Sequence, residues 1–200
     1  MNKVTTPVAR LSFPAVWEPQ SFTNKDGSKT EPKFSVTLLF PKSKEAELKA
    51  MKELAMATLH EKWPKGLPPN FKNPFRDGSE KPDTAGYEGT IFVKASSSRR
   101  PKVVDMNLQE IIDKDLLYAG CYVRASVNCY IFDQMGNKGV AFGLLNLQKV
   151  KDGEAFGITS KPEEDFFDSA QVAAQQGVDS FGFGANTSAS TPAPSDPFAL

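Results

Sequence analysis

From Gly120 to Asp133 the chain alternates without a break. Cys121, Val123, Ala125, Val127, Cys129 and Ile131 fall on one side, and Tyr122, Arg124, Ser126, Asn128, Tyr130 and Phe132 on the other. A sustained period of two belongs to a β-strand, whose successive side chains point to opposite faces. One of these faces is wholly apolar and must be buried. The other mixes aromatic rings, a guanidinium and hydrogen-bonding groups. Such a strand commits its chain to a sheet with one dry side and one decorated side.

The remaining pattern extends this sheet. Val8 to Phe13 reads as a first strand, with Leu11 and Phe13 inward and Arg10 and Ser12 outward. Lys33 to Phe40 alternates Phe34, Val36, Leu38 and Phe40 against Lys33, Ser35 and Thr37, and Tyr87 to Ala95 and Val140 to Val150 complete a set of five. Asn24-Lys-Asp-Gly27 and Gln134-Met-Gly-Asn-Lys-Gly139 carry turn residues. Ser43 to Trp63 is the one clear helix: Leu48, Met51, Leu54, Ala55, Leu59 and Trp63 recur mostly at three- and four-residue spacing. Ser43 is placed to cap its start, and Pro64 ends it. Asn107 to Asp115 is compatible with a helical turn, and residues 64–86 form a long Pro/Gly-rich loop. Five strands and one long helix predict a mainly β fold, an OB-like five-stranded barrel, with a β-sandwich as the structural alternative.

Aliphatic periodicity stops after Lys151, and segments such as Ala185-Asn-Thr-Ser-Ala-Ser-Thr-Pro-Ala-Pro-Ser195 are too polar and small to offset chain entropy by burial. The expected organisation is one domain over residues 1–155 and a disordered acidic tail over 156–200. Charge divides the same way. Residues 151–200 hold two basic and eight acidic side chains, a net −6; with 24 of each sign in the whole chain, residues 1–150 carry +6. A basic body points to a polyanionic partner.

Several functions are disfavoured. No apolar run approaches the ~20 residues that span a bilayer, and Met1 to Arg10 lacks the apolar stretch of a secretory signal. The expectation is a cytoplasmic protein without membrane contact. Cys121 and Cys129 lie eight residues apart on one strand, ~26 Å at strand rise, beyond disulfide reach. Two cysteines and the single His60 do not make an ordinary zinc site, so neither metal nor cofactor is expected. His60 has no partner for a nucleophilic arrangement, and no phosphate-binding glycine loop is present. The strongest enzymatic alternative is a metal-dependent nuclease built on Pro82-Asp83 and Lys94. Phe92 stands where its second acid would be required, so the chain is expected not to be an enzyme.

The decorated faces carry the binding candidates. Tyr122, Tyr130 and Phe132, with Phe92, offer rings on which bases of any identity can stack, and Arg124, Lys94, Arg99, Arg100 and Lys102 offer cations for a phosphate backbone. Asn128 adds hydrogen bonding, and Phe71, Lys72, Phe75 and Arg76 repeat the aromatic-plus-basic mixture in the long loop. From these residues alone the reading is a small β-barrel that binds a polyanion. A protein-interaction module of a replication complex, without DNA contact, remains its alternative.

An ordered series of segments carries the reading further: Asn73-Pro-Phe-Arg-Asp-Gly78, Gly86-Tyr87, Pro101-Lys-Val-Val-Asp105, Tyr118-Ala-Gly-Cys-Tyr-Val-Arg-Ala-Ser-Val-Asn-Cys-Tyr130, Gly136-Asn-Lys-Gly139 and Leu147-Gln-Lys-Val-Lys-Asp-Gly-Glu154. Over roughly residues 70–155 the chain resembles the phage-encoded single-stranded-DNA-binding proteins. The resemblance implies an OB-fold that coats single strands during phage DNA replication, recombination and repair, in the host cytoplasm. It also implies that the tail recruits replication or recombination proteins. Asp196, Pro197 and Phe198 resemble the family's acidic, aromatic tip, and Phe166 and Phe167 sit in an earlier acidic cluster, Glu163-Glu-Asp-Phe-Phe-Asp168. A homodimer is compatible with this reading.

Overall fold

In the computed structural model, residues 3–157 are described apart from 24–26, 28, 70, 135 and 136. The expected tail contacts at Phe166, Phe167, Asp196, Pro197 and Phe198 lie outside the described residues. The strands are β1 (Lys3–Thr5), β2 (Ala9–Gln20), β3 (Lys33–Pro41), β4 (Phe71–Lys72), β5 (Phe75–Asp77), β6 (Thr90–Ser97), β7 (Lys102–Val104), β8 (Tyr122–Gln134) and β9 (Asn137–Lys151), with helix α1 at Lys49–Lys62. All nine strands belong to one sheet.

Five of them, β2, β3, β6, β8 and β9, answer to the five expected strands, and their pairings run in a ring. β8 pairs with β2, β2 with β3, β3 with β6, β6 with β9, and β9 again with β8. All neighbours are antiparallel except β6 and β9. The ring is thin in two places. Ala9↔Val123 and Arg10↔Tyr122 join β2 to β8, and Ala95↔Phe142 and Ser96↔Gly143 join β6 to β9. This is the partly open barrel of an OB-like fold. The four further strands are two or three residues long, too short to show a period.

The apolar face of β8 turns inward as its alternation requires. Val123, Ala125 and Val127 are fully buried among Leu11, Val36, Leu38, Val93, Phe142 and Leu147. Each buried aliphatic side chain of this size contributes roughly 1.5–3 kcal/mol. Cys121 is buried and Cys129 partly so; both are free thiols, and burial pushes both pKa values up, leaving them poor nucleophiles. Leu48, Met51, Ala55 and Leu59 close one end of the barrel, where α1 packs against β8.

The helix differs from its expected form at its start. Lys42–Leu48 is a 3-10 segment broken by non-helical Lys44, no side chain caps it, and the α-helical run begins only at Lys49. Ser43 is therefore not its cap. The end is as expected: Trp63, preceding Pro64, leaves helical geometry at φ −126° and ψ 69°, because a proline disfavours helical geometry in the residue before it. The turn expected at Asn107 to Asp115 is also displaced. The Asp105 carboxylate accepts from the Asn107 and Gln109 backbone N–H groups to fold one turn, and the helical piece lies at Lys114–Leu116.

A bulge in β2 reverses one side chain. Ser12 faces Thr37 but Ala15 faces Ser35, so β2 spends three residues where β3 spends two. Pro14 lies inside this step and has no N–H for the ladder. Phe13, expected to point inward beside Leu11, is instead turned out with φ +45° and is 58% exposed. Phe92 departs in the opposite sense. It is 4% exposed, in a small second cluster with Leu39 and Tyr87, which Phe156 flanks.

Gly120 illustrates how the domain's last residues are fastened. Its φ is +111°, and a Cβ there would lie 2.1 Å from the Glu154 carbonyl oxygen, a backbone atom with no room to yield. Gly120→Ala is expected to lower stability by more than about 1 kcal/mol, read as a lower urea midpoint with an unchanged slope. Hydrogen exchange should quicken first at the Phe156 amide, which donates to the Ala119 carbonyl.

Candidate nucleic-acid interface

The outward positions of β3 and β6 meet by register: Thr37 opposite Lys94, Ser35 opposite Ser96, Leu39 opposite Phe92. Ser35 and Thr37 form a polar floor, and the walls come from neighbouring segments. Phe13 rises from the β2 bulge, Phe22 from the loop after β2, Lys72 and Arg76 from β4 and β5, Lys81 from the loop after β5, and Phe132 from β8. The result is a groove of about 530 Å³. It continues past Gln20, Phe22 and Lys94 into a second stretch of about 500 Å³ reaching Thr30 and Lys33. The OB architecture commonly binds oligonucleotides on this face.

Rings and cations are interleaved here. The Lys94 ammonium stands 4.2 Å from the Phe22 ring centre. Lys81 sits among three rings, 5.3 Å from Phe13, 5.0 Å from Tyr87 and 5.4 Å from Phe92. Burial, and then the nearby Lys81 charge, lower the Lys94 pKa. Among the described residues no carboxylate lies within ion-pair distance of Lys72, Lys81 or Lys94. By contrast Lys42, Lys44, Lys49 and Lys52, on and before α1, pair with Asp77, Glu47, Glu53 and Glu45. The groove thus concentrates uncompensated positive charge in a partly desolvated place, which an anion would relieve.

The residues singled out from sequence divide among several places. Lys94, Arg76 and Phe132 line the groove. Arg76 is bonded to Glu80 and lies 5.0 Å from the Phe92 ring centre. Phe92 itself is covered and serves as a base under these cations rather than as an open platform, which corrects the expectation. Phe75 is corrected too: it faces the interior and packs edge-on against Phe142 with ring centres 5.7 Å apart. Arg124, Asn128 and Tyr130 keep to the outer face of β8, where Gly143 on β9 leaves space for Asn128 and Tyr130 to lie over it. Tyr122 is on that face, but its ring is already occupied by Arg10 at 5.7 Å and Lys151 at 4.5 Å. Arg10 reaches on to the Phe156 ring and donates to the Gly120 and Glu154 carbonyls, so this cluster fastens the end of the domain. Arg99 and Arg100 are exposed beyond the end of β6, with Arg100 over Trp17, and Lys102 is exposed on β7.

Phe13, Phe22 and Lys81 escape the sequence reading, whereas Lys72, named with the aromatic-plus-basic mixture of the long loop, does line the groove. For Phe13 the available signal was Pro14, which marks a break in the ladder; for Phe22, an isolated ring in a polar stretch. Lys81 has no local signal. Among the described residues no three His, Cys, Asp or Glu side chains gather as metal ligands.

Lys81 depends on a local anchor. The Lys42 ammonium, 2.7 Å away, and the Ser79 N–H hold the Asp77 carboxyl down at about 2, and Asp77 caps the turn Gly78–Glu80 that leads into Lys81. A carboxylate whose folded pKa is depressed stabilises the fold above its unfolded pKa of about 3.9 and loses that contribution as pH falls through the folded value. Wild type should therefore exceed Asp77→Asn in stability at neutral pH. The gap should close between about pH 4 and pH 2, as followed by denaturant midpoints.

Comparisons agree with this architecture. Residues 2–177 match the model of the family described as Enterobacter phage Enc34, ssDNA-binding protein. Protein p50 of Acyrthosiphon pisum secondary endosymbiont phage 1 is 32% identical over 182 residues, covering 84% of this chain and 96% of p50. The structure of the single-stranded DNA-binding protein from bacteriophage Enc34 in complex with ssDNA superposes with a TM-score of 0.65 at 29% identity, over 78% of this chain and 89% of that one. A second structure of the single-stranded DNA-binding protein from bacteriophage Enc34 superposes with a TM-score of 0.61 at 25% identity, over 83% of this chain and 90% of that one. With the family model spanning most of its length, the chain belongs to the Enc34-type phage ssDNA-binding protein family.

Proposed function

We propose that this chain binds single-stranded DNA, with little regard to sequence, along the β3–β6 groove. The observation that carries the reading is the meeting of exposed Phe13 and Phe22 with Lys72, Lys81 and Lys94, none of which has a carboxylate partner among the described residues. A stacked base is worth ~1–3 kcal/mol and tolerates any sequence, since every base has a π-face. Duplex DNA hides those faces, so single strands are preferred. The related Enc34 protein in complex with ssDNA supports the same ligand here. A strand leaving the groove past Phe132 would next meet Tyr130, 38% exposed on the same face of β8, with Asn128 and Arg124 beyond. Arg99, Arg100 and Lys102 are further cations for its phosphates.

In this reading the protein is not an enzyme. It protects and organises single strands during phage DNA replication, recombination and repair in the host cytoplasm. Its acidic tail, with Phe166, Phe167 and the Asp196-Pro197-Phe198 tip, recruits replication proteins.

Fluorescence anisotropy of the full chain with labelled 30-nucleotide single strands, matched duplex and RNA tests the ligand. Single strands should bind tightest, with log affinity falling linearly in log salt, by ~0.7 per phosphate neutralised. Lys94→Glu should weaken binding and flatten that slope. Because the Lys94 pKa is lowered, affinity should also decline with rising pH before ordinary lysines titrate. Lys94→Arg should remove this early decline, since a guanidinium keeps its charge. Absence of binding at low salt would defeat the proposal in favour of a protein-interaction module.

A further inference from the structure

Phe13 departs from two ordinary preferences at once. A bulky side chain rarely takes positive φ, and here φ is +45°. A large ring normally earns its place by burial, yet this one is 58% exposed. Its nearest aromatic neighbour, Tyr87, lies at a tilted 6.5 Å between centres and is fully buried. The backbone is thus held in an unfavourable state for a side chain that contributes little core. Strain of this kind persists where surrounding structure imposes it, and it clusters at binding sites. The imposing structure is the β2 bulge, a device that re-aims a side chain. It swings Phe13 from the interior to the groove wall, with the Lys81 ammonium 5.3 Å from the ring centre.

We propose that Phe13 is a pre-aimed stacking platform for one nucleobase, and that Lys81 beside it takes a phosphate of the same strand. The inference rests on the groove being a nucleic-acid site and adds a subsite to it. A base laid on the open side of the ring leaves Lys81 on the other side, where Tyr87 and Phe92 hold the ammonium without neutralising it. Stacking and phosphate contact are then offered together by a segment that need not rearrange, which lowers the entropy lost on binding.

The platform role and a folding role predict opposite responses to Phe13→Gly. Glycine accepts positive φ without strain. If the ring serves binding, the full-length variant should melt no lower than wild type, and up to about 2–4 °C higher. Its affinity for a 30-nucleotide oligothymidylate should fall about 10- to 100-fold, the loss of one stacked base. The salt dependence should be unchanged, because no cation is removed. Phe13→Leu keeps the apolar bulk and the strain but not the π-face, and should also lose affinity; Phe13→Trp should retain it. A lower melting temperature for Phe13→Gly would overturn the proposal by making the ring structural. So would undiminished affinity in Phe13→Gly while Lys94→Glu weakens binding, a result that leaves the groove reading standing. If wild type itself does not bind, the groove reading fails and the subsite with it.

Discussion

The five-stranded ring of this partly open barrel is joined at two seams by only two residue pairs each, between β2 and β8 and between β6 and β9. So few ladder bonds cannot by themselves hold five strands in a ring, since each contributes only about 1 kcal/mol net. What holds it is the apolar interior. Val123, Ala125 and Val127 of β8 share one core with Leu11 of β2, Val36 and Leu38 of β3, Val93 of β6 and Phe142 of β9. α1 lays Met51, Ala55 and Leu59 across the end. Because the inside does the holding, the outside is free to vary, and the thin seams leave room for the strands to curl and for a bulge in β2.

That freedom is used unevenly. Around α1, lysines alternate with glutamates and pair with them, so this side carries little field. In the groove over β3 and β6, Lys81 and Lys94 stand beside rings rather than acids. A ring does not neutralise a cation; it screens one from water and orients it. Lys81 stands among three rings and Lys94 over Phe22, and burial together with the nearby Lys81 charge disfavours the charged form of Lys94. A phosphate backbone answers that arrangement, and the near-zero net charge of the whole chain conceals it.

A third surface, around Arg10, Tyr122, Lys151 and Phe156, resembles the groove in composition but not in availability. There the guanidinium is bonded to two backbone carbonyls and flanked by two rings. The same residue types that make a binding surface when open make a fastening when closed. Composition along the strand does not distinguish the two conditions. Contacts with Gly120 and Glu154, both distant from Arg10 in sequence, do.

Local periodicity carried most of the fold. The strict alternation of β8, the apolar positions of β3 and the three- and four-residue spacing of α1 each reflect burial on one face, and burial leaves its mark in neighbouring residues. The acidic C-terminal composition and the charge of the body were legible for the same reason, as was family resemblance over an ordered set of segments. The candidate site was legible only in part. Lys72, Lys94, Arg76 and Phe132 stand out in the sequence, but the same patterns present Phe92 and Phe75 as open rings and Phe13 as core. These depend on which face a bulge turns outward and which loop folds over a strand. Such outcomes are set by contacts between residues far apart in the chain. Sequence by itself determined that this protein would have two-faced strands, a mainly β fold and a basic body, and left barrel and sandwich open, because alternation records burial but not which strands pair. Only the tertiary structure decided which of its rings stay open and which of its lysines stay unpaired, because exposure and ion pairing are properties of neighbours in space.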